Sequence, residues 1–304
     1  MKRLITTLGE KCAEEIGFIL SHEHVFVDLR TWDTPGYAQA DVDHVVKQVT
    51  PAVLKAKEAG ITAIIECSTV GVGRRADIVK AVSEAVSFPI LVPTGVYREP
   101  WIPRWVHDAE EQELKEWMEG ELNGDIEGSG VQAGWIKLSA GDDGLTECEK
   151  KVLRAAAKAG VATNAVIGSH TIKGSVVKDQ LDIIEKAGYD ASRFIWIHAQ
   201  AEADFQIHLE VAKRGAWISY DNIGGGNDDL YINLIRRMLD AGYGDRILLS
   251  QDRIGYMCGQ PEEDYPQPYT YICDEFLPKL HLAGVDKNTI NEIMTVNPFN
   301  SFAR

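Results

Sequence analysis

Gly17-Phe18-Ile19-Leu20-Ser21-His22-Glu23-His24 is the stretch on which the reading of this chain turns. A short apolar run suited to a buried strand leads into two histidines two positions apart, and period-two spacing sends both imidazoles to one face. The same arrangement recurs down the chain. Gly134-Trp135-Ile136 ends on Lys137, Ala165-Val166-Ile167 leads to His170, Phe194-Ile195-Trp196-Ile197 ends on His198, and Ile247-Leu248-Leu249 leads to Asp252. If these runs are parallel strands closed into a barrel, all six polar side chains arrive at one rim, which is where barrel enzymes keep their chemistry.

Working outward, strand-like and helix-like segments alternate. They pair as 18–21 with 42–59, 63–67 with 76–85, 90–93 with 110–121, and 134–138 with 147–159. The second half continues as 163–167 with 176–187, 194–197 with 203–214, 216–219 with 230–241, and 247–250 with 271–282. Eight such units are what a (β/α)8 barrel requires, so the expectation is an α/β TIM barrel forming a single domain over residues 1–304. A doubly wound open sheet is the runner-up, but it gathers its ligands at one crevice, whereas these come from strands one, four, five, six and eight. Thr146 followed by Glu149 has the capping-box pattern that starts a helix after the Lys137 strand. Ala-Gly pairs at Ala59-Gly60, Ala159-Gly160, Ala187-Gly188 and Ala241-Gly242 read as helix ends with left-handed caps.

With 304 residues and 45% hydrophobic content, the chain is long enough to bury one large core. Its formal charge of −15 opposes nucleic acid and anionic lipid, because association would add like-charge repulsion. Glu10, Lys11, Glu14 and Glu15 interrupt the first sixteen residues, and no apolar run is long enough to span a bilayer, so the expected location is cytoplasmic with no membrane partner. Five widely spaced cysteines lack a C-x-x-C pair and read as reduced, mostly buried thiols.

Of the eight histidines, four lie at strand ends; His44, His107, His208 and His281 fall in or near helical, polar contexts and read as solvated or locally bonded. Four imidazoles and one carboxylate suit zinc, manganese or cobalt better than magnesium or calcium, which prefer oxygen cages. Two ions held close share one water and lower its pKa from about 15.7 to about 7. They also need a bridging anion. Asp252 serves either as that anion or as the base, leaving one of the two functions unfilled. Lys137 by itself reads as a salt-bridge partner or a snorkelling side chain, and an ammonium beside two cations is unfavourable. A buried, neutral lysine, however, takes up carbon dioxide. The resulting carbamate (N6-carboxylysine) offers one oxygen to each ion.

At this point the sequence resembles the phosphotriesterase-like branch of the amidohydrolase superfamily, which includes sugar lactonases. The resemblance covers nearly the whole chain. It rests on Ser21-His22-Glu23-His24, Gly134-Trp135-Ile136-Lys137, Leu153-Arg154-Ala155-Ala156, Gly168-Ser169-His170-Thr171, Ile197-His198-Ala199 and Leu249-Ser250-Gln251-Asp252. It implies that His22, His24 and Asp252 hold one metal, His170 and His198 the other, and carboxylated Lys137 bridges them. It also implies that Asp252 relays the proton of a metal-bridging hydroxide, and that the protein is a homodimer acting on a small molecule.

The substrate side is read from the loops. Thr94-Gly95-Val96-Tyr97 ends the third strand, and by the same resemblance Tyr97 leans over the metals and helps hold a substrate carbonyl; simple packing is the alternative. Trp101 and Trp105 stiffen the loop that follows, either as a pocket wall or as a subunit contact. Asp221-Asn222 stands where many lactonase relatives carry Asp-Arg, and Gln267 stands where members acting on phosphorylated sugars carry arginine. Asn222 is therefore the rim residue expected there, and Arg98 and Arg253 are the remaining basic candidates for substrate contact. The expected activity is hydrolysis of a lactone or carboxylic ester. Phosphotriester and N-acyl amide hydrolysis are the alternatives, and a non-catalytic ligand-binding barrel is the rival from another class.

Overall fold

Eight parallel strands follow one another in chain order around a barrel in the computed structural model, which describes residues 2–304. They are β1 (Phe18–Val27), β2 (Ile61–Glu66), β3 (Ile90–Leu91 and Pro93–Thr94, either side of Val92) and β4 (Trp135–Ser139). The others are β5 (Ile167–His170), β6 (Phe194–Ile197), β7 (Trp217–Tyr220) and β8 (Ile247–Leu249). The seam between β8 and β1 is closed by three bonds near the rim. Ser21 Oγ donates to Leu249 O at 3.1 Å, the His22 amide to Ser250 Oγ at 2.9 Å, and the Asp252 amide to His22 O at 3.1 Å. This is the TIM barrel expected from the sequence.

The outer ring comprises α1 (Val42–Glu58), α2 (Ala76–Val86), α3 (Glu111–Asn123), α4 (Glu147–Thr163), α5 (Gly174–Lys186), α6 (Phe205–Lys213) and α7 (Asp228–Asp240). The last unit is a π turn, Ile272–Phe276, continuing into α8 (Leu277–Leu282). Among the described residues no helix is long and apolar enough to cross a membrane. Thr146 and Glu149 form the capping box the sequence announces, with the Glu149 amide 3.2 Å from Thr146 Oγ1 and the Thr146 amide 2.8 Å from Glu149 Oε2.

Strand alternation sorts the core into two shells. Ile19, Ala63, Ile65, Trp135, Val166, Ile195 and Leu248 point into the barrel with Leu4 and Phe302, whereas Leu20, Ile64, Ile136, Ile167, Phe194 and Leu249 face the helices. By that parity Lys137 and Cys67 point inward. For β1 the parity is wrong by one residue, and the register shift between Leu20 and Glu23 corrects it: Ile19 faces inward below the irregularity, His22 and His24 above it.

Three differences from the sequence reading have physical causes. Gly160 does not end α4; the helix runs on to Thr163 and is capped by Asn164 in the left-handed region. A Cβ at Gly160 would meet the Tyr189 ring at 2.4 Å, so the glycine provides close packing, not termination. The fifth strand consequently starts at Ile167 instead of 163. Third, β1 extends through Val27 because an additional strand, Ile254–Met257, pairs with its outer half, Ile254 opposite His24 and Tyr256 opposite Phe26.

Gly95, just beyond β3, sits at φ +111°, and a Cβ there would lie 2.2 Å from the carbonyl oxygen of Lys137. Gly95→Ala is therefore expected to cost about 2–5 kcal/mol by combining backbone strain with a clash that no side-chain rotation relieves. An unchanged urea midpoint would show that β3 does not need this approach to β4.

Candidate active site

The six strand-end residues singled out in the sequence converge on one cavity of about 180 Å3 at the C-terminal rim. Asp252 Oδ1 is 3.1 Å from His22 Nε2 and 3.2 Å from His24 Nε2, so those three side chains meet at one point. His170 and His198 abut on the other side, with ring centroids 4.3 Å apart, and His22 links the two groups at 5.0 Å from His198. Lys137 lines the same cavity and is only 2% exposed. Among the described residues its Nζ has no hydrogen-bond partner, and neither does His170 Nε2, although both atoms are buried.

Each imidazole is aimed by what holds its other edge. Asp221 is fully buried at the end of β7; its Oδ1 is 2.6 Å from His198 Nδ1, and its Oδ2 accepts from the His198 amide at 3.0 Å and from Ser219 Oγ at 2.8 Å. That contact places the His198 Nδ1 proton on the carboxylate side and turns Nε2 toward the cavity. Burial opposes the charge on Asp221, but His198 and His22 outweigh it and hold the carboxyl well below its usual range. Ser68 Oγ already donates to Phe26 O at 2.6 Å, so it accepts from His24 Nδ1 at 2.8 Å and leaves His24 Nε2 facing Asp252. Tyr97 Oη stands 3.3 Å from His170 Nδ1, with the rings 5.4 Å apart.

Two cavity residues occupy the left-handed region, His198 at φ +67° and Asp252 at φ +55°. Glu23 holds the second of these turns. It faces away from the cavity between its two histidines, accepting from Ser250 Oγ at 2.8 Å, from the Gln251 amide at 3.0 Å and from the Arg253 amide at 2.6 Å. Burial pushes its carboxyl up to about 7 against the pull of these donors.

In this protein state the electrostatics are uneven. Burial, with His198 and Lys137 beside it, holds His170 well below the ordinary imidazole value and so neutral. Burial also opposes a charge on His24, yet Asp252 and Glu66 outweigh it and raise the ring to about 9. Asp252 is held well below the carboxylate range because His22 and His24 overcome its desolvation.

The rim candidates fall outside the cavity lining. Arg98 is tied to Asp142 at 2.6 Å and to Ala140 O, and Arg253 donates to Ile223 O at 3.3 Å. The Trp101 indole donates to Leu29 O at 2.8 Å and packs edge-on to Tyr97, whereas Asn222 is exposed. What lines the mouth instead is apolar: Val27, Leu29, Val72 and Ile254, with the Cys67 thiol below them. The sequence reading missed these walls, as it missed Asp221 and Glu23 as supports. Cys67 was available from strand parity; Leu29 and Val72 depend on how loops fold over the rim, and Val27 and Ile254 on the pairing of the added strand with β1.

The sequence profile of the phosphotriesterase family matches residues 2–302. A protein of Mycobacterium tuberculosis called phosphotriesterase homology protein is 29% identical over all of this chain and 98% of its own length. An aryldialkylphosphatase of Saccharolobus solfataricus is 25% identical over 96% of both, and an N-acetyltaurine hydrolase of Xenopus tropicalis is 23% identical over 96% of this chain and 95% of its own. A solved Deinococcus radiodurans phosphotriesterase-like lactonase variant superposes with a TM-score of 0.90, at 28% identity, covering 98% of this chain and 99% of that one. A hydrolase barrel, a histidine-rich rim and a profile running nearly end to end agree with one another, and the chain belongs to the phosphotriesterase family.

Proposed function

We propose that this chain is a binuclear metal-dependent hydrolase acting on lactones or carboxylic esters. The observation that carries the metal assignment is the Lys137 Nζ, without a partner among the described residues and buried in the cavity that four imidazoles line. A buried polar atom without a partner is costly, and carboxylation by carbon dioxide followed by ion binding supplies the partner. The donor set fits: His22, His24 and Asp252 for one ion, His170 and His198 for the other, carboxylated Lys137 between them. Imidazole-rich ligation favours zinc, with manganese or cobalt as alternatives.

When bound, such ions supply a water acidified toward neutral pH and a Lewis acid for the scissile carbonyl. The protein's own contribution is positional. Asp252 receives the water's proton at a carboxylate oxygen, in the orientation that Glu23 imposes through the backbone on either side. Asp221 keeps His198 in the ligating tautomer. Tyr97, at the cavity wall, orients the substrate carbonyl through its hydroxyl.

The apolar mouth supports a neutral substrate. With Lys137 carboxylated, Arg98 paired with Asp142 and Arg253 turned to a main-chain carbonyl outside the lining, no arginine among the described residues lines the cavity to meet a sulfonate such as that of N-acetyltaurine. A phosphotriester is also uncharged, so it is the second reading, and the same walls favour it over the amide.

Zinc-grown protein is expected to hold about two ions per chain at the rim cavity. Lys137→Ala should lose them, with partial restoration by a short carboxylic acid; wild-type metal content in that variant would overturn the bridging role. Asp252→Asn should reduce kcat by about 100-fold or more while keeping most of the metal, as a lost proton acceptor does. Complete metal loss would instead make Asp252 chiefly a ligand. Against a panel of lactones, aryl esters, phosphotriesters and acyl amides, kcat/KM should favour lactones by orders of magnitude, and parity across the panel would refute the leading choice.

A further inference from the structure

On the outer side of the connection from β3 to α3, three metal-binding residue types meet that no step above uses. Glu99 follows Tyr97 and Arg98 in that connection, His107 lies in its short helix Arg104–Asp108, and Cys148 lies in the first turn of α4. One ligand atom from each falls within 4.8 Å of the other two, and His107 Nε2 is 3.3 Å from Glu99 Oε1.

Zinc bonds of about 2.3 Å to sulfur, 2.0 Å to imidazole and 2.1 Å to carboxylate put neighbouring ligand atoms of one tetrahedral shell about 3.3–3.8 Å apart. The Glu99–His107 pair already stands at that separation. The thiol completes a triangle that needs only side-chain rotation to close.

The elements carrying the three side chains are also held together by bonds from α4. The Glu99 amide donates to Glu149 Oε1 at 3.2 Å, while the other oxygen of Glu149 caps the helix through the Thr146 amide. Lys151 Nζ donates to the carbonyls of Val106, His107 and Ala109 at 2.9, 2.9 and 2.6 Å, which fastens the short helix beside Cys148. Each candidate ligand is thus positioned by a residue within a turn of Cys148. The three carbonyls occupy the Lys151 ammonium, and burial, with the Glu99 and Glu149 carboxylates, outweighs its charge and holds the Cys148 thiol above its ordinary value, so the proton leaves when an ion binds.

We propose that Glu99, His107 and Cys148 form a separate divalent-metal site, suited to zinc, that staples the loop carrying Tyr97 to α4. A thiolate, an imidazole and a carboxylate select a borderline ion over magnesium or calcium. His107 is 41% exposed on its side chain, so the fourth tetrahedral position faces solvent. On binding, Cys148 gives its proton to solvent, imidazole coordinates as the neutral ring, and no redox change is involved.

The test is residue-resolved alkylation of the full-length protein by iodoacetamide with and without zinc. Because it reads Cys148 and not turnover, it stays informative whatever becomes of the rim assignment. Zinc is expected to slow alkylation of Cys148 about tenfold, since a coordinated sulfur is a poor nucleophile. Labelling of Cys12 and Cys273 should not change, and magnesium should have no effect. His107→Gln and Glu99→Gln should each weaken the protection, and Cys148→Ser should bind one zinc fewer than wild type. In the cobalt-loaded protein, Cys148→Ser but not Cys67→Ala should abolish sulfur-to-cobalt absorption. Equal Cys148 labelling with and without zinc, or protection that survives both His107→Gln and Glu99→Gln, would overturn the proposal.

Discussion

Placing an amine and four imidazoles at the mouth of an apolar barrel is the constraint on which the surrounding structure depends. A buried polar atom left unpaired costs on the order of 1–3 kcal/mol, and Lys137 Nζ and His170 Nε2 are both in that position. They are kept there by layers that cannot yield. Trp135 and Ile197 fill the space beside Gly168, where a Cβ would meet the Trp135 ring at 2.7 Å, so the floor of the cavity is closed by packing. The polar atoms above it have no route to the solvent below. Only something that enters from the rim can satisfy them, which is the physical content of the proposed metal site.

The supporting shell shows where that arrangement is stabilised. His198 and Asp252 both take left-handed backbone conformations that cost a non-glycine residue about 1–3 kcal/mol each. Each has one buried carboxylate holding its turn. Asp221 accepts both the amide and the ring of His198, and Glu23 accepts amides on either side of Asp252. The two carboxylates are not equivalent. Asp221 touches imidazoles and is held as an anion, whereas Glu23 is surrounded by neutral donors and burial lifts it to about 7. The charge that complements the cavity thus comes from β7, and the geometry of its last residue comes from β1.

How much of this was legible follows from what each feature depends on. The eight units, the cluster at the rim and the capping box of α4 are encoded by short-range periodicity, and a sequence displays that directly. Gly160 is different. Its neighbour Ala159 and its place near a helix end match the other Ala-Gly pairs, and only the Tyr189 ring, contributed from another part of the chain, reveals a packing role. The strand Ile254–Met257 was hidden for a similar reason, since its partner is the far half of β1 and its own four residues include Gly255. Asp221 carried a usable signal, a carboxylate ending an apolar strand in line with the others, but its service to His198 requires knowing that β6 and β7 are neighbours in register. The apolar wall residue Val72 lies on a turn beyond a strand end, where periodicity carries no information.

The charged rim has a bearing on selectivity that separates it from the core. Two arginines, Arg30 and Arg98, are already paired with Asp28 and Asp142, so neither presents an unpaired charge to an incoming group. In a chain of net charge −15, an anionic substrate would meet an unfavourable long-range field and then a wall of Val27, Leu29, Val72 and Ile254 that cannot replace its hydration. A neutral ester or lactone meets neither penalty on entry. Were such a substrate hydrolysed as proposed, the carboxylate formed would lie inside that same wall, and the features that disfavour anions on the way in would also favour its departure. On the proposed function, selection for uncharged substrates and release of charged products would be two consequences of one apolar mouth.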